Sequence, residues 1–173
     1  MPDMMIKGVY RDRLLDAEGR EIHDSGWQSN VIVLRCRVLL AAFMRNDNAL
    51  GIRWLQVGRG DAAWDSTPPP VPDPTVITQL VDSSPFPIPH MALSFQYLNS
   101  HDEFVSESTN RIQIVATLGE NQPTPATDPP YPLREFGLFG ELNGAPYMID
   151  YIRHPLIEKD GAATLERKVR LIF

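Results

Sequence analysis

The acidic side chains are the most obvious candidates for catalytic groups in this sequence. A glycoside hydrolase uses two carboxylates that flank one bond, and Asp61 or Asp65 together with Glu135 could supply such a pair. No spacing in the sequence singles out one pair, since carboxylates are also common in solvated loops and at strand edges. The sequence also lacks the Gly-x-Ser-x-Gly segment of a serine nucleophile elbow. We therefore expect no enzyme activity, and we keep a hydrolase as an alternative.

Metal and cofactor motifs are equally weak in this sequence. The four histidines are His23, His90, His101 and His154. They show no metal-ligand spacing, and neither a CxxC nor an HExxH motif occurs. The glycine pair at 57–61, VGRGD, runs into prolines rather than into the helix that a phosphate-binding loop requires. Cys36 lies in an apolar stretch, where a buried structural thiol is expected. We predict no catalytic residue, no metal and no cofactor.

Composition narrows the classes of partner. The chain has 173 residues, 43% of them apolar, and a net charge of −6 with a pI near 5.1. An acidic protein is poorly suited to bind nucleic acid or an anionic membrane. The longest apolar run, residues 31–44, is interrupted by Arg35 and Arg37 and is too short to span a bilayer. We expect a protein of a reducing compartment without membrane insertion.

One principal helix is predicted at residues 31–44. Four residues at helical spacing share a face: Val31, Leu34, Val38 and Ala42. Further apolar residues widen this stripe, so the helix is expected to be buried nearly all round, by the sheet or by a neighbouring copy. Ser29 or Asn30 is the expected N-cap, and Gly51 the expected stop.

The rest of the chain predicts strands. Alternating or apolar segments occur at 4–10, 52–60, 91–97, 112–118 and 165–173, and residues 21–27 form the return arm of a first hairpin. Residues 75–83 fit a short helix or a turn. The fold class is therefore mainly β (α+β), an antiparallel sheet or sandwich with one principal helix and long proline-rich loops. We expect a single structural domain over 1–173.

Proline-rich arms separate these elements. The arms at about 66–74 and 121–132 cannot form central strands or helix interiors, and extended polyproline-like structure is expected. Such arms lie well against other proteins. The candidate contacts to partners are Trp27, Trp64, Pro68, Pro69, Pro70 and Tyr131. The alternative is that the arms pack back over their own domain.

Four segments, taken in order, resemble bacteriophage tail and tail-fibre proteins. The first is DSGWQSNVIV at 24–33, an Asp/Ser-Gly-Trp turn before an apolar helix. IRWLQVGRGDAAWDSTPPP at 52–70 resembles the next block, and TNRIQIVATLG at 109–119 the strand that follows. The closing block, 132–173, contains a Glu-x-Gly-Leu-Phe turn, a hairpin and a final amphipathic strand. The resemblance covers roughly residues 23–173.

The resemblance implies a structural virion component that acts through protein–protein contacts. It would be a baseplate or tail-fibre adaptor or anchoring subunit, oligomeric within the particle and assembled in the host bacterial cytoplasm. Related contractile injection systems share such parts. A complete fibre would continue beyond the domain, so a stand-alone adaptor or baseplate subunit is expected.

The same resemblance assigns residues 134–142, REFGLFGEL, to a strand that enters a turn. Phe136 and Leu138 are expected on one face, with Glu135 and Phe139 on the other, and Gly140 with Gly144 would bracket the hairpin. The alternative function is a virion-associated glycan-binding or polysaccharide-degrading protein. A glycan-binding tip would use tryptophans as stacking platforms, and the candidates are Trp27, Trp54 and Trp64.

Overall fold

The computed structural model describes residues 5–173 and is mainly β, as predicted. Within this range the strands are β1 (Lys7–Leu15), β2 (Glu21–Asp24), β3 (Gln28–Ser29), β4 (Val31–Ile32), β5 (Ala49–Gly58), β6 (Phe86–Pro89), β7 (Leu93–Leu98), β8 (Phe104–Val105), β9 (Arg111–Leu118), β10 (Tyr131–Leu142), β11 (Ala145–Lys159) and β12 (Thr164–Ile172). The helix α1 spans Leu34–Arg45, and short 3-10 helices span Ala62–Asp65 and His90–Ala92. Met4, the start of the first predicted strand, lies outside the described residues.

The strands form two antiparallel sheets. Seven strands make the first sheet, in the order β2-β1-β12-β9-β7-β8 with β3 on β1, and five make the second, in the order β4-β11-β10-β5-β6. Buried residues of both sheets belong to one apolar cluster, with Leu165 and Ile114 from the first sheet and Phe136 and Leu55 from the second. The two sheets therefore share one core.

Strand β12 has the alternation that its sequence predicts. Leu165, Arg167, Val169 and Leu171 are at most 2% exposed, while the residues between them are half-buried. This alternation is expected where one face of a sheet covers the core. Phe173 was expected to continue the inward row, but it follows the end of the strand and is 42% exposed.

The hairpin of β10 and β11 is central to the second sheet and is buried on both faces. Phe136 and Leu138 lie in the main core cluster and Phe139 in a second cluster, so the expected assignment of faces holds for them. The turn is formed by Asn143 and Gly144, both with positive φ, 52° and 79°, as a two-residue hairpin loop requires.

Gly140 does not border the turn, contrary to the prediction. It lies inside β10, where a Cβ atom would meet Leu39 Cδ2 at 2.6 Å and the Leu50 carbonyl oxygen at 2.7 Å. Glycine at this position therefore permits the close approach of α1 and β5 to β10.

The predicted helix boundaries and burial need correction. Residues 31–32 form β4 and pair with β11, so the helix begins at Leu34 with Val33 as N-cap, not Ser29 or Asn30. It ends at Arg45, and the next residue, Asn46, is the C-cap: its backbone is in the left-handed region, and its N–H donates to the carbonyl oxygens of Ala42 and Phe43. Gly51 lies in β5 and is not the stop.

Helix α1 buries one face only. Its buried residues are Cys36, Leu39 and Ala42. Leu34 and Val38 are 49% and 41% exposed, so the sheet does not bury the helix all round, and the expectation that it would is wrong. Helix α1 packs on β11, β5 and β10, which belong to one sheet. Because a single sheet can cover only one side of a helix, the other side stays exposed. Residues 75–83, expected as a short helix or a turn, form turns and bends.

Candidate interaction surface

A bulge in β11 shapes the surface on which three of the six predicted contact residues lie. Leu133 pairs with Ile157 and Glu135 pairs with Arg153. Between these two pairs β10 has one residue, 134, and β11 has three, 154–156. Bulges of this kind redirect side chains. Here His154 turns inward and is 8% exposed, whereas Leu156 is 38% exposed at the surface.

The 3-10 helix at Ala62–Asp65 is fixed to the sheet by one arginine. Arg134 donates from Nε and Nη2 to the Asp65 carboxylate at 2.8 and 2.7 Å, and from Nη1 to the Arg59 carbonyl oxygen at 2.9 Å. Asp61 caps the helix by accepting from the Ala63 N–H at 2.9 Å. Two-point contacts between arginine and carboxylate restrict geometry, so the position of the neighbouring Trp64 is well defined.

Trp64, Pro68 and Pro69 meet the β11 bulge in one groove. It has a volume of about 530 Å³, and the remaining lining residues are Asp65, Arg153, His154, Pro155 and Leu156. The Arg153 guanidinium lies 4.6 Å from the centre of the Trp64 ring. We call this surface the Trp64 groove. It contains three of the six candidate contact residues and places them against residues of β11 that lie about 90 positions further along the chain.

The first proline arm is tied to its own domain at two points. The Pro70 carbonyl oxygen accepts from Arg153 Nη1 at 3.0 Å, and the Pro74 carbonyl oxygen accepts from the Leu34 N–H at 2.9 Å. Between these points Val71 is 88% exposed. The arm thus runs as a strap from the groove to the start of α1, and most of its surface stays exposed.

The second proline arm is shorter than predicted, because residues 131–132 belong to β10. Its first part is held at the β11–β12 turn, where the Asn121 N–H donates to the Gly161 carbonyl oxygen at 2.7 Å. The Ala126 N–H donates to Asn121 Oδ1 at 3.0 Å. Residues 125–130 are exposed.

Two candidate contact residues lie apart from the groove. Trp27 is 36% exposed and has the Arg170 guanidinium 4.0 Å from its ring centre, on the first sheet. Tyr131 is 4% exposed and is not available to a partner in this fold, which corrects the prediction. The reason is that Tyr131 opens β10 and pairs with Lys159, so its side chain is drawn into the core.

The carboxylate of Glu135 holds a loop in place. Glu135 is fully buried and accepts from the backbone N–H groups of Val81 and Asp82 at 3.0 and 2.7 Å and from the Tyr151 hydroxyl at 2.5 Å. Burial and this bond to Glu135 raise the pKa of Tyr151. The other acids of the conceivable hydrolase pair are bound as well, Asp61 as a helix cap and Asp65 by Arg134.

Sequence reasoning missed a buried charge cluster between the sheets. Asp12 and Arg167 are cross-strand neighbours, and Arg167 Nε and Nη2 donate to the two Asp12 oxygens at 2.7 and 2.8 Å. Burial alone would raise the pKa of Asp12, but the Arg167 guanidinium outweighs burial and holds that pKa below its usual value. The available signal was their position, since both lie on the inward phase of their strands.

His154 completes this cluster as a neutral ring. Burial and the nearby Arg167 lower the pKa of His154 to about 4. Because arginine can only donate, His154 Nε2 accepts from Arg167 Nη2 at 3.0 Å, and Nδ1–H donates to the Pro155 carbonyl oxygen at 2.8 Å. The cluster lies behind the groove and fixes the β11 bulge from inside.

Two further buried groups have shifted pKa values. Burial raises the pKa of Asp150 to about 7, although it accepts from the Leu138 N–H and from Asn30 Nδ2, both at 2.8 Å. Burial also raises the pKa of Cys36 to about 11, so this thiol is protonated at neutral pH and packs as an apolar group, as expected.

Two features are absent from residues 5–173. No group of three His, Cys, Asp or Glu side chains in this range is placed to hold a metal ion. None of the helices in the same range has the length and apolar character needed to cross a membrane.

The chain was compared with known proteins in three ways. No protein-family model, no curated protein and no solved structure matches it.

Proposed function

We propose that this protein is a structural subunit of a bacteriophage tail or a related contractile injection system, located at the baseplate or at the tail-fibre junction. The proposal rests on the ordered resemblance of residues 23–173 and on one structural observation, the Trp64 groove. In this role the protein binds other tail, baseplate or fibre subunits and does not act on a substrate.

The groove has the chemistry of a protein contact. Tryptophan and arginine are among the residues that most often dominate binding energy, and here the Arg153 guanidinium lies over the Trp64 ring in the lining of the groove. Two prolines on one side and Leu156 on the other supply apolar surface that loses little conformational entropy on binding. Because the strap and the bulge already hold this shape, a partner meets a preformed surface.

Particle incorporation tests the proposal. Leu156→Glu places a charge in the groove at a position that is 38% exposed, so the fold should survive while incorporation into purified tail particles falls. Trp64→Ala should have the same effect. Ile22→Glu is the matched control, since it adds the same charge at a position that is 58% exposed and does not line the groove. Normal incorporation of a folded Leu156→Glu protein would refute the groove as the docking surface.

Substitution in the groove is a better test than shortening residues 67–74. Such a deletion would also remove the bonds from Arg153 to Pro70 and from Leu34 to Pro74. A loss of incorporation could then come from a disturbed β11 bulge or helix start rather than from a lost partner contact.

A second candidate function, glycan binding, is favoured by a different pocket. Trp54, Arg53, His90 and Glu141 line an open pocket of about 560 Å³, which offers an aromatic ring beside donors and acceptors. Calorimetric titration with cell-wall and capsule oligosaccharides, repeated on Trp54→Ala, tests this function. A reducing-sugar assay on the same polymers tests the alternative that the protein degrades polysaccharides.

A further inference from the structure

The outer face of α1 is unusual for a surface helix. Leu34 is 49% exposed, Val38 41% and Met44 87%, and Ala41 is exposed between them. These residues recur at helical spacing and lie opposite the buried stripe of Cys36, Leu39 and Ala42. A surface helix normally presents charged and polar residues to solvent, whereas this one presents a second apolar stripe.

The charged residues that α1 itself contributes to this face have one sign. Arg37 and Arg45 are exposed on the outer face, and α1 contains no acidic residue at all. Arg45 approaches Asp47 at 3.5 Å, in an exposed pair of little energetic weight. The face is therefore apolar and basic, on a protein with a net charge of −6.

This combination discriminates between possible occupants. Two copies packed through the same face would bring Arg37 and Arg45 of each against those of the other, with no carboxylate on the helix to separate them. A negatively charged membrane is an extended charged plane, so it would attract the two arginines but repel the rest of an acidic protein, whereas a single acidic helix would contact the face of α1 alone. A protein element with apolar residues between carboxylates fits both the stripe and its charges.

We propose that the outer face of α1 is a docking surface for an acidic amphipathic helix of another protein. Its apolar ridge would pack along Leu34, Val38 and Ala41, and its carboxylates would pair with Arg37 and Arg45. Packing of one helical ridge along another uses this i, i+4, i+7 spacing.

The surface is separate from the Trp64 groove. The start of α1 is bonded to β11 at Ile149, through the Val33 N–H at 3.2 Å, whereas the groove begins at Arg153 and extends to Leu156. Four to seven residues of strand correspond to roughly 13–23 Å. The helix face therefore adds a second contact region, and its test does not depend on the groove.

Two synthetic helical peptides test this surface. Both carry leucine at positions i, i+4, i+7 and i+11, and the flanking positions are all Glu in one peptide and all Lys in the other. Fluorescence anisotropy with the full chain should show micromolar binding of the Glu peptide, at least about tenfold tighter than the Lys peptide. Equal binding of the two peptides, or no binding of the Glu peptide, would overturn the proposal.

Variants locate the binding on the protein. Arg37→Gln should weaken binding of the Glu peptide about two- to fivefold, the size of one exposed ion pair, and Val38→Glu should weaken it at least about tenfold. Arg20→Gln is the control, because Arg20 is 75% exposed and lies in the turn between β1 and β2, not on α1. All three positions are exposed, so circular dichroism should show an unchanged fold. Binding that survives both helix variants would refute the assignment to α1.

The competing occupants have their own readouts. Sedimentation of the protein alone and co-sedimentation with phosphatidylserine vesicles are measured for the wild type and for Val38→Glu. A dimer, or vesicle binding, that disappears in Val38→Glu would assign the face to a second copy or to a membrane and would overturn the proposal. A monomer that does not bind the vesicles agrees with it.

Discussion

The buried pair of Asp12 and Arg167 allows the most demanding test of the structural reasoning. The pair has two charge-assisted hydrogen bonds, and its side chains are 1% and 2% exposed. Removing one partner of such a pair leaves an uncompensated charge in the core and typically costs about 3–5 kcal/mol of stability. Arg167→Met and Asp12→Leu should therefore each lower the free energy of unfolding by about that amount.

The double variant should be much less destabilised than the sum of the two single variants. Two apolar side chains of similar size leave no unpaired charge, and often match a buried ion pair in stability. The double variant still loses the hydrogen bond that Arg167 donates to His154 Nε2 and the contact of the guanidinium with the Phe136 ring. An unsatisfied buried acceptor costs about 1–3 kcal/mol, against about 6–10 kcal/mol for the two single changes added together.

Urea unfolding followed by circular dichroism at pH 7.5 measures these differences. The control is Arg20→Met, which breaks the exposed pair with Asp16 and should cost less than about 0.5 kcal/mol. A double variant that costs the full sum would show that Asp12 and Arg167 are not energetically coupled. A loss below about 1 kcal/mol for Arg167→Met would show that the guanidinium is not needed to compensate Asp12.

Three further predictions concern the helix, the pH dependence of stability and a glycine contact. Leu39→Ala should cost about 2–5 kcal/mol because Leu39 is 3% exposed, whereas Val38→Ala, at 41% exposed, should change stability by less than about 0.5 kcal/mol in the same urea assay. The pKa of His154 is lowered from 6.5 to about 4, so the unfolded chain binds the proton more readily and His154 destabilises the fold as the pH falls from 6.5 towards 4. The difference in unfolding free energy between the wild type and His154→Gln should therefore move against the wild type by ~3 kcal/mol over this interval, and a constant difference would contradict a neutral buried ring. Gly140→Ala should cost about 1–3 kcal/mol, since its Cβ would meet the Leu50 carbonyl oxygen at 2.7 Å; an unchanged thermal unfolding midpoint would show that β5 and β10 separate without cost.

The pH comparison uses His154→Gln because a second group acts in the opposite direction. The pKa of Asp150 is raised from 3.8 to about 7, so the folded chain binds this proton more readily than the unfolded one. Asp150 therefore contributes stability at low pH that is lost as the pH rises towards 7. The wild type and the His154 variant share this contribution, and it cancels in their difference.

Much of the fold could be predicted from local patterns in the sequence. Alternation predicted β9 and β12 because one face of each strand lies on the core. The helix was found, but its start was misplaced by three residues, since Val31 and Ile32 pair with β11 instead. The sheet was also expected to bury this helix nearly all round, and it does not. The spacing of apolar residues does not reveal which faces of a helix other parts of the chain cover.

The candidate site could be predicted only in part. Trp64, Pro68 and Pro69 were singled out as contact residues, and they do lie together. Their counterpart in β11 was not foreseen, because a bulge that turns Leu156 outward and His154 inward depends on the register with β10. Tyr131 was wrongly expected to contact a partner for a similar reason. Its burial depends on the pairing of β10 with β11, which the prolines beside it in the sequence do not reveal.

The sequence by itself determined which segments could be strands, helix or extended arms, because side-chain periodicity and the missing N–H of proline act locally. Only the tertiary structure decided which of these residues meet. Arg167 contacts Asp12 across 155 positions of the chain, and the strap contacts β11 across 83. Such contacts depend on sheet order and strand register, which are set by the burial of the whole core and not by any one segment.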